Sequence, residues 1–223
     1  MKAVDLIPRI KQLTQDYLLE TYTQTHILEV CYEAECAIVT YKPEVNMVIE
    51  NRLTVVGTVQ TLPANSLKLV DVFNNMGVGG NTPGRSIKKI AREEIDKINP
   101  NWHAQATSTE AEHYIYDPMI PKIFLVYPPA NAQYIRICTV KEIPAYNFTS
   151  PTTEAAIDLT VTTDYVPQLT NYIVGKLMLR NSDRSPNYQR GAYFMSQFYQ
   201  QMGVKDLADQ YLSEANDGKK AAK

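Results

Sequence analysis

No apolar run in the chain approaches the roughly 20 residues that cross a bilayer. The opening Met1-Lys2-Ala3-Val4-Asp5 also lacks the apolar stretch and small-residue cleavage site of a secretory signal, so neither membrane insertion nor export is expected. Without export the sequon Asn147-Phe148-Thr149 is idle and simply marks a loop. Cysteine is scarce. Cys31, Cys36 and Cys138 are an odd number at no tight spacing, which argues against a disulfide framework and suits free thiols in a reducing compartment. Excess charge of one sign is missing too: Lys+Arg 22 against Asp+Glu 24 leaves a net charge of -2. That balance disfavours a protein that grips a phosphate backbone across a broad basic face. No repeat at a fixed period appears, which argues against a solenoid or propeller.

What is present is ordinary globular material. The 223 residues are 44% hydrophobic and 21% charged, enough to bury a core without staples. From Val4, the residues Leu6, Ile7, Ile10, Leu13, Tyr17 and Leu18 recur at helical spacing. A second helical face, Ile27, Leu28, Cys31, Ala34, Ile38 and Val39, ends before Pro43. Two antiparallel helices are the natural reading. The segments 53–59 and 67–73 are β-branched or alternating, and Leu62-Pro63-Ala64-Asn65-Ser66 between them carries turn chemistry, which predicts a β-hairpin. A glycine-rich loop then precedes a helix expected over Ile87 to Ile98, stopped by Asn99-Pro100. Segments 114–116, 123–127 and 134–140, divided by Asp117-Pro118 and Pro128-Pro129, predict an antiparallel meander.

Residues 143–163, rich in Pro, Thr and Ser, read as an extended connector with a short strand at 157–161. Helix resumes with Thr163 or Asp164 as cap and Pro167 in its first turn. Another helix begins at Ser185-Pro186 and stops at Gly203, and a last one runs over 204–215. The fold class is therefore α+β: a helical bundle from N- and C-terminal helices with an inserted antiparallel β-rich region. The expected divisions are N-terminal helices over 1–50, a β-rich insertion with one short helix over 51–144, a connector over 145–163, C-terminal helices over 164–215 and a flexible tail over 216–223.

The sharpest motif is Gly79-Gly80-Asn81-Thr82-Pro83-Gly84-Arg85-Ser86, which nearly fits the phosphate-binding pattern G-x-x-x-x-G-K-[ST]. Arg85 stands where the pattern needs Lys, however, and Pro83 removes one backbone N–H from the cradle. The plainer reading of Gly79, Gly80, Asn81, Thr82, Pro83 and Gly84 is a loop tip that touches a neighbour or the tail. His103, His113, Glu110 and Glu112 fall at no recognised ligand spacing, so no metal is expected. Neither a Gly-x-Ser-x-Gly elbow nor a cysteine signature occurs, and the acidic residues are dispersed, so no catalytic residue and no cofactor is assigned. The series Tyr188, Tyr193, Phe194, Phe198 and Tyr199 has helical spacing and reads as core or subunit contact.

Four strings complete the picture: Leu62-Pro63 followed by 67–77 (LKLVDVFNNMG); Asn99-Pro100-Asn101-Trp102-His103-Ala104; Tyr114-Ile115-Tyr116-Asp117; and Phe124-Leu125-Val126-Tyr127-Pro128-Pro129. Their order between paired terminal helices resembles the head-to-tail adaptor, or connector, proteins of tailed bacteriophages, especially those of short-tailed phages. That resemblance implies a non-enzymatic protein of the virion neck, made in the host cytoplasm. It implies a homo-oligomeric ring, commonly of twelve copies, that binds the portal above and a tail tube or nozzle below. DNA passes through the ring without sequence-specific binding. The C-terminal residues Val204, Leu207, Tyr211, Leu212, Lys219 and Lys220 are the expected portal contact. The alternatives are another neck or tail-completion protein and, from a different class, a nucleotide-binding packaging accessory that uses Gly79, Gly84, Arg85 and Ser86.

Overall fold

The computed structural model describes residues 1–180 and 186–221, with side chains as far as residue 215. In chain order its helices are α1 (Ile7–Thr14), α2 (Gln24–Tyr41), α3 (Arg92–Ile98), α4 (Pro151–Ala156), α5 (Val166–Met178), α6 (Pro186–Met202) and α7 (Lys205–Ala221). Its strands are β1 (Met47–Leu53), β2 (Gly57–Thr61), β3 (Ser66–Asn75), β4 (Lys88–Lys89), β5 (His113–Ile115), β6 (Ile123–Ala130) and β7 (Tyr134–Lys141). The protein is α+β, with helices at both ends and largely antiparallel strands between them. It forms two compact units, Met1–Val45 with Ile143–Lys223, and Asn46–Glu142.

In the helical unit α5 is the hub, because α1, α2 and α6 all pack on it, and α7 packs on α6. Its Leu169, Ile173, Val174 and Leu177 are buried completely. The expected pairing of the first two helices with each other thus gives way to separate contacts with α5. The α5–α6 approach is close enough to require glycine. A Cβ on Gly191 would lie 2.9 Å from Met178 Cβ and 3.0 Å from the Gly175 carbonyl oxygen. Helix α1 ends four residues earlier than its apolar pattern suggests, leaving Tyr17 63% and Leu18 79% exposed. The cause is local: Gln15 is left-handed (φ 61), and the Asp16 carboxylate then accepts the backbone N–H groups of Glu20, Thr21 and Tyr22 at 2.8–3.0 Å.

The segment expected to be an extended connector contains α4, capped by Ser150, whose Oγ accepts from Thr153 N. The expected strand at 157–161 reduces to an isolated bridge between Asp158 and Lys2. What pins this segment is Glu35 on α2, fully buried. Its Oε1 accepts Thr160 N–H and Val161 N–H, both at 2.7 Å, and its Oε2 accepts Tyr146 O–H at 2.5 Å. Burial first, then Cys31 and Glu35 nearby, push the Tyr146 phenol well above its usual range, so it stays a donor. A second buried carboxylate, Glu154 on α4, accepts from Thr25 Oγ1 at 2.7 Å and Gln24 Nε2 at 3.0 Å at the start of α2. At the far end, Gly203 (φ 80) stops α6 as expected, and α7 continues to Ala221, past the expected end at Ala215. Ser185, expected to start α6, lies outside the described residues.

The β-rich unit holds two sheets, ordered β1-β7-β3 and β2-β6-β5-β4. The expected hairpin does not form, because β2 pairs with β6 and β3 pairs with β7, so the two runs enter different sheets. The turn between them does form, closed by Ser66 N to Pro63 O at 2.9 Å. The apolar run over 53–59 is broken at Thr54–Val56, where Gln60 bonds Val55 N through Oε1 and Val55 O through Nε2, both at 2.8 Å. The expected meander is likewise half right: β5 pairs with β6, but β7 leaves for the other sheet. The helix expected from Ile87 starts only at Arg92. Lys88 and Lys89 pair in parallel with β5 instead, the donors being Lys88 N to Glu112 O and Ile90 N to Tyr114 O, both at 3.0 Å. Leu69, Val72, Tyr114, Phe124, Val126, Ile135 and Ile137 from both sheets form the core.

Replacing Glu35 by Ala strands three donors and is expected to cost about 3 kcal/mol or more in urea unfolding. Gly191→Ala, which forces α5 and α6 apart, is expected to cost about 1–3 kcal/mol in the same measurement.

Candidate functional site

The glycine-rich loop is an ordered extension of β3, and its backbone is already engaged. Gly80 N donates to Gly77 O at 3.3 Å, Thr82 N to Met76 O at 3.2 Å and Gly84 N to Asn75 O at 2.7 Å. Asn75 is buried and holds the base of the loop. Its Nδ2 donates to Arg85 O at 3.0 Å and Ala111 O at 2.7 Å, while its Oδ1 accepts Ala111 N at 2.8 Å. Gly80 has φ 74 and faces the Tyr134 ring, 3.0 Å from where a Cβ would stand. Around it Gly79, Asn81, Thr82, Pro83, Gly84, Arg85 and Ser86 are exposed, with Val78 84% exposed at the tip.

A phosphate cradle needs several backbone N–H groups left open and converging on one point. Here three are spent within the loop, Pro83 has none, and Arg85 pairs with Glu112 at 2.8 Å. The next helix, α3, starts six residues beyond Ser86, so no helix N-terminus faces the loop's end. The loop offers a shaped, exposed tip and no anion site of this kind.

The residues of the Asn99–Ala104 string form a plug. Trp102 is fully buried with Ile95 and Ile115, its Nε1 donating to Asp96 Oδ1 at 2.8 Å. Its ring stacks on His103 at 3.6 Å and meets Tyr127 edge-on at 6.2 Å. His103 Nδ1 lies 2.9 Å from Thr58 Oγ1, and His113 stacks on Tyr127 at 6.3 Å. Asn99 Oδ1 accepts Asn101 N at 3.2 Å across Pro100. Tyr116 O–H donates to Pro121 O at 3.2 Å and accepts Leu69 N at 3.3 Å, while Asp117 Oδ1 accepts Met119 N at 2.9 Å. The peptide between Tyr127 and Pro128 is cis, and Pro129 O accepts Ser108 N at 2.8 Å. These residues therefore shape the β-rich unit. Among the described residues no group of three or more His, Cys, Asp or Glu is placed to hold a metal ion. Burial, with Glu35 beside it, pushes the Cys31 thiol up to about 12, which keeps it protonated at neutral pH.

Beside the plug lies an open groove of about 790 Å³, lined by residues from Lys89 to Glu94 and from Ile115 to Leu125. Among its lining residues Ile120 is 55% and Ile123 38% exposed, beside the charged Arg92, Glu93, Glu94 and Asp117. Sequence reasoning passed over this surface, although Pro118-Met119-Ile120-Pro121 is an apolar pair in a proline-framed loop where polar residues are the rule.

Of the expected C-terminal contact residues, Val204, Leu207 and Tyr211 are half-buried, and Tyr211 stacks on Tyr199 of α6 at 5.6 Å. Leu212 is 40% exposed and lines a groove of about 400 Å³ with Tyr193, Phe194 and Arg190. The side chains of Lys219 and Lys220 lie outside the described residues. In the aromatic series, Phe198 is core, edge-on to Tyr172 at 4.9 Å, and Tyr193 is 49% exposed.

Trp102→Ala is expected to cost about 3–5 kcal/mol, read by urea unfolding, because it empties the centre of the plug. Millimolar magnesium nucleotide is expected to leave the melting temperature unchanged, whereas binding through the loop would raise it.

A comparison with known families matches residues 1–218 to the family described as SU10 adaptor protein. No curated protein matches the chain.

Proposed function

We propose, since the chain belongs to the SU10 adaptor protein family, that it is a structural head-to-tail adaptor of a bacteriophage virion. In this reading its copies form a ring that joins the portal to the tail and surrounds the channel for the DNA. The observation that carries the reading is the family match over residues 1–218, which takes in both compact units. The chemistry agrees with it. A ring subunit needs a heterologous contact to each neighbour and further surfaces for the parts above and below. The open groove beside α3, the loop tip exposed at Gly79 and Asn81–Gly84, and the α6–α7 groove are surfaces of that kind. A near-neutral chain of net charge -2 suits a wall past which DNA slides without being held.

Within this reading the C-terminal helix is the portal contact, through Leu212 and the lysines at 219 and 220, and the Gly79–Gly84 tip reaches a neighbouring subunit or the tail. Mixing purified protein with purified portal tests it. A ring with the portal's symmetry, seen by cryo-EM, is the expected product, and failure to co-assemble would sink the reading. Location within purified particles separates an adaptor from another neck or tail-completion protein. Leu212→Asp is expected to weaken co-assembly about tenfold while leaving the melting temperature of the free protein within about a degree.

A further inference from the structure

Strand β1 is an edge with a self-complementary sequence. It pairs with β7 in unbroken register from Met47 to Leu53. Among the described residues no other element makes a backbone hydrogen bond to it. Long edges are ordinarily protected by a proline, a bulge or an inward-pointing charge, because their unpaired N–H and C=O groups invite another strand. Here there is no proline or bulge; Glu50, beside Ile137 and paired with Lys141, is the one half-buried charge turned toward the core face, and Met47, Val48, Ile49 and Leu53 are 40%, 38%, 59% and 45% exposed.

The order Ile49-Glu50-Asn51-Arg52-Leu53 reads as apolar, acidic, amide, basic, apolar. When two copies lie antiparallel and centred on Asn51, Glu50 of each faces Arg52 of the other and Ile49 of each faces Leu53 of the other. Both are pairs that stabilise adjacent strands. Centring the pair on Glu50 or on Arg52 instead sets like charges opposite one another, and only the Asn51 register sets Glu50 opposite Arg52. Glu50 remains able to take part: its Oε1 accepts from Lys141 Nζ at 2.5 Å, and its second carboxylate oxygen is left for Arg52 of the other copy.

We infer that, outside the assembled particle, β1 docks on β1 of a second copy of this chain in the antiparallel register centred on Asn51. The pair is isologous, whereas ring closure needs a heterologous contact. It is therefore a form that precedes the ring and keeps both edges covered, an inference beyond the adaptor role itself. The contact is one strand wide and falls below the roughly 1,200 Å² of stable interfaces, so the dimer is weak and gives way to the assembly.

Sedimentation velocity on the full chain without portal, from about 1 to 100 μM, tests the inference over the range expected for a weak, transient contact. A monomer–dimer equilibrium is expected. R52E and Ile49→Lys are each expected to raise its Kd about tenfold or more, as is Glu50→Arg. An equimolar mixture of R52E and Glu50→Arg is expected to recover the dimer, because each variant then offers the sign the other needs. Should circular dichroism show Glu50→Arg unfolded through loss of its Lys141 contact, R52E and Ile49→Lys decide alone. A wild-type chain monomeric throughout, open-ended association, or an R52E chain that dimerises like wild type overturns it.

Discussion

The helical unit depends on a carboxylate that has given up water entirely. Glu35 sits at 0% exposure on α2 and accepts Thr160 N–H, Val161 N–H and Tyr146 O–H. A buried charge without such donors would be far more costly than any packing it gains. With them, it fixes a proline- and threonine-rich segment that also buries Ile143, Ile157 and Val161. Glu154 repeats the device from the other direction, reaching from α4 to the start of α2. These two acidic side chains, with the backbone bonds of Ala3 to Ile157 and of Leu159 to Met1, hold the route from residue 143 to α5, on which α1, α2 and α6 pack.

The β-rich unit solves its problem differently. Its core draws on both sheets, and two of its three buried amides, Asn75 and Gln60, stand where the chain changes direction. Gln60 spans the break between β1 and β2, and Asn75 closes the base of the glycine-rich loop. Trp102, tied to Asp96, seals the α3 side. Much of what looks like motif in the sequence is thus support for the fold. The surfaces proposed for partners lie elsewhere: the groove beside α3, the loop tip, the α6–α7 groove and the edge of β1. For a protein whose family is one of adaptors, such a division between rigid support and bare apolar surface is physically sensible.

Local chemistry made part of this legible. The helical periods of α2, α5 and α6 were plain because one face of each is buried throughout, and Gly203 ended α6 by the left-handed conformation that glycine adopts freely. Long-range pairing was not legible. The runs at 57–61 and 66–75 both announce strands, yet alternation says only that a strand has two faces, and their partners β6 and β7 lie 60 or more residues away. The glycine-rich loop resembled an anion site because its residue types match one. Only the backbone bonds to Asn75, Met76 and Gly77 show those donors to be spent.

Sequence by itself determined the α+β class, the helical ends and the strand-rich middle, the lack of a long apolar span, and a resemblance carried by strings such as Asn99–Ala104. These follow from side-chain period, turn residues and composition, which act within a few residues. Tertiary structure alone decided that β2 and β3 part company, that β7 leaves β6 for the other sheet, and which apolar residues remain bare. Each of those outcomes rests on a hydrogen bond or a packing contact between residues far apart in the chain, and no local pattern encodes which distant partner will be present.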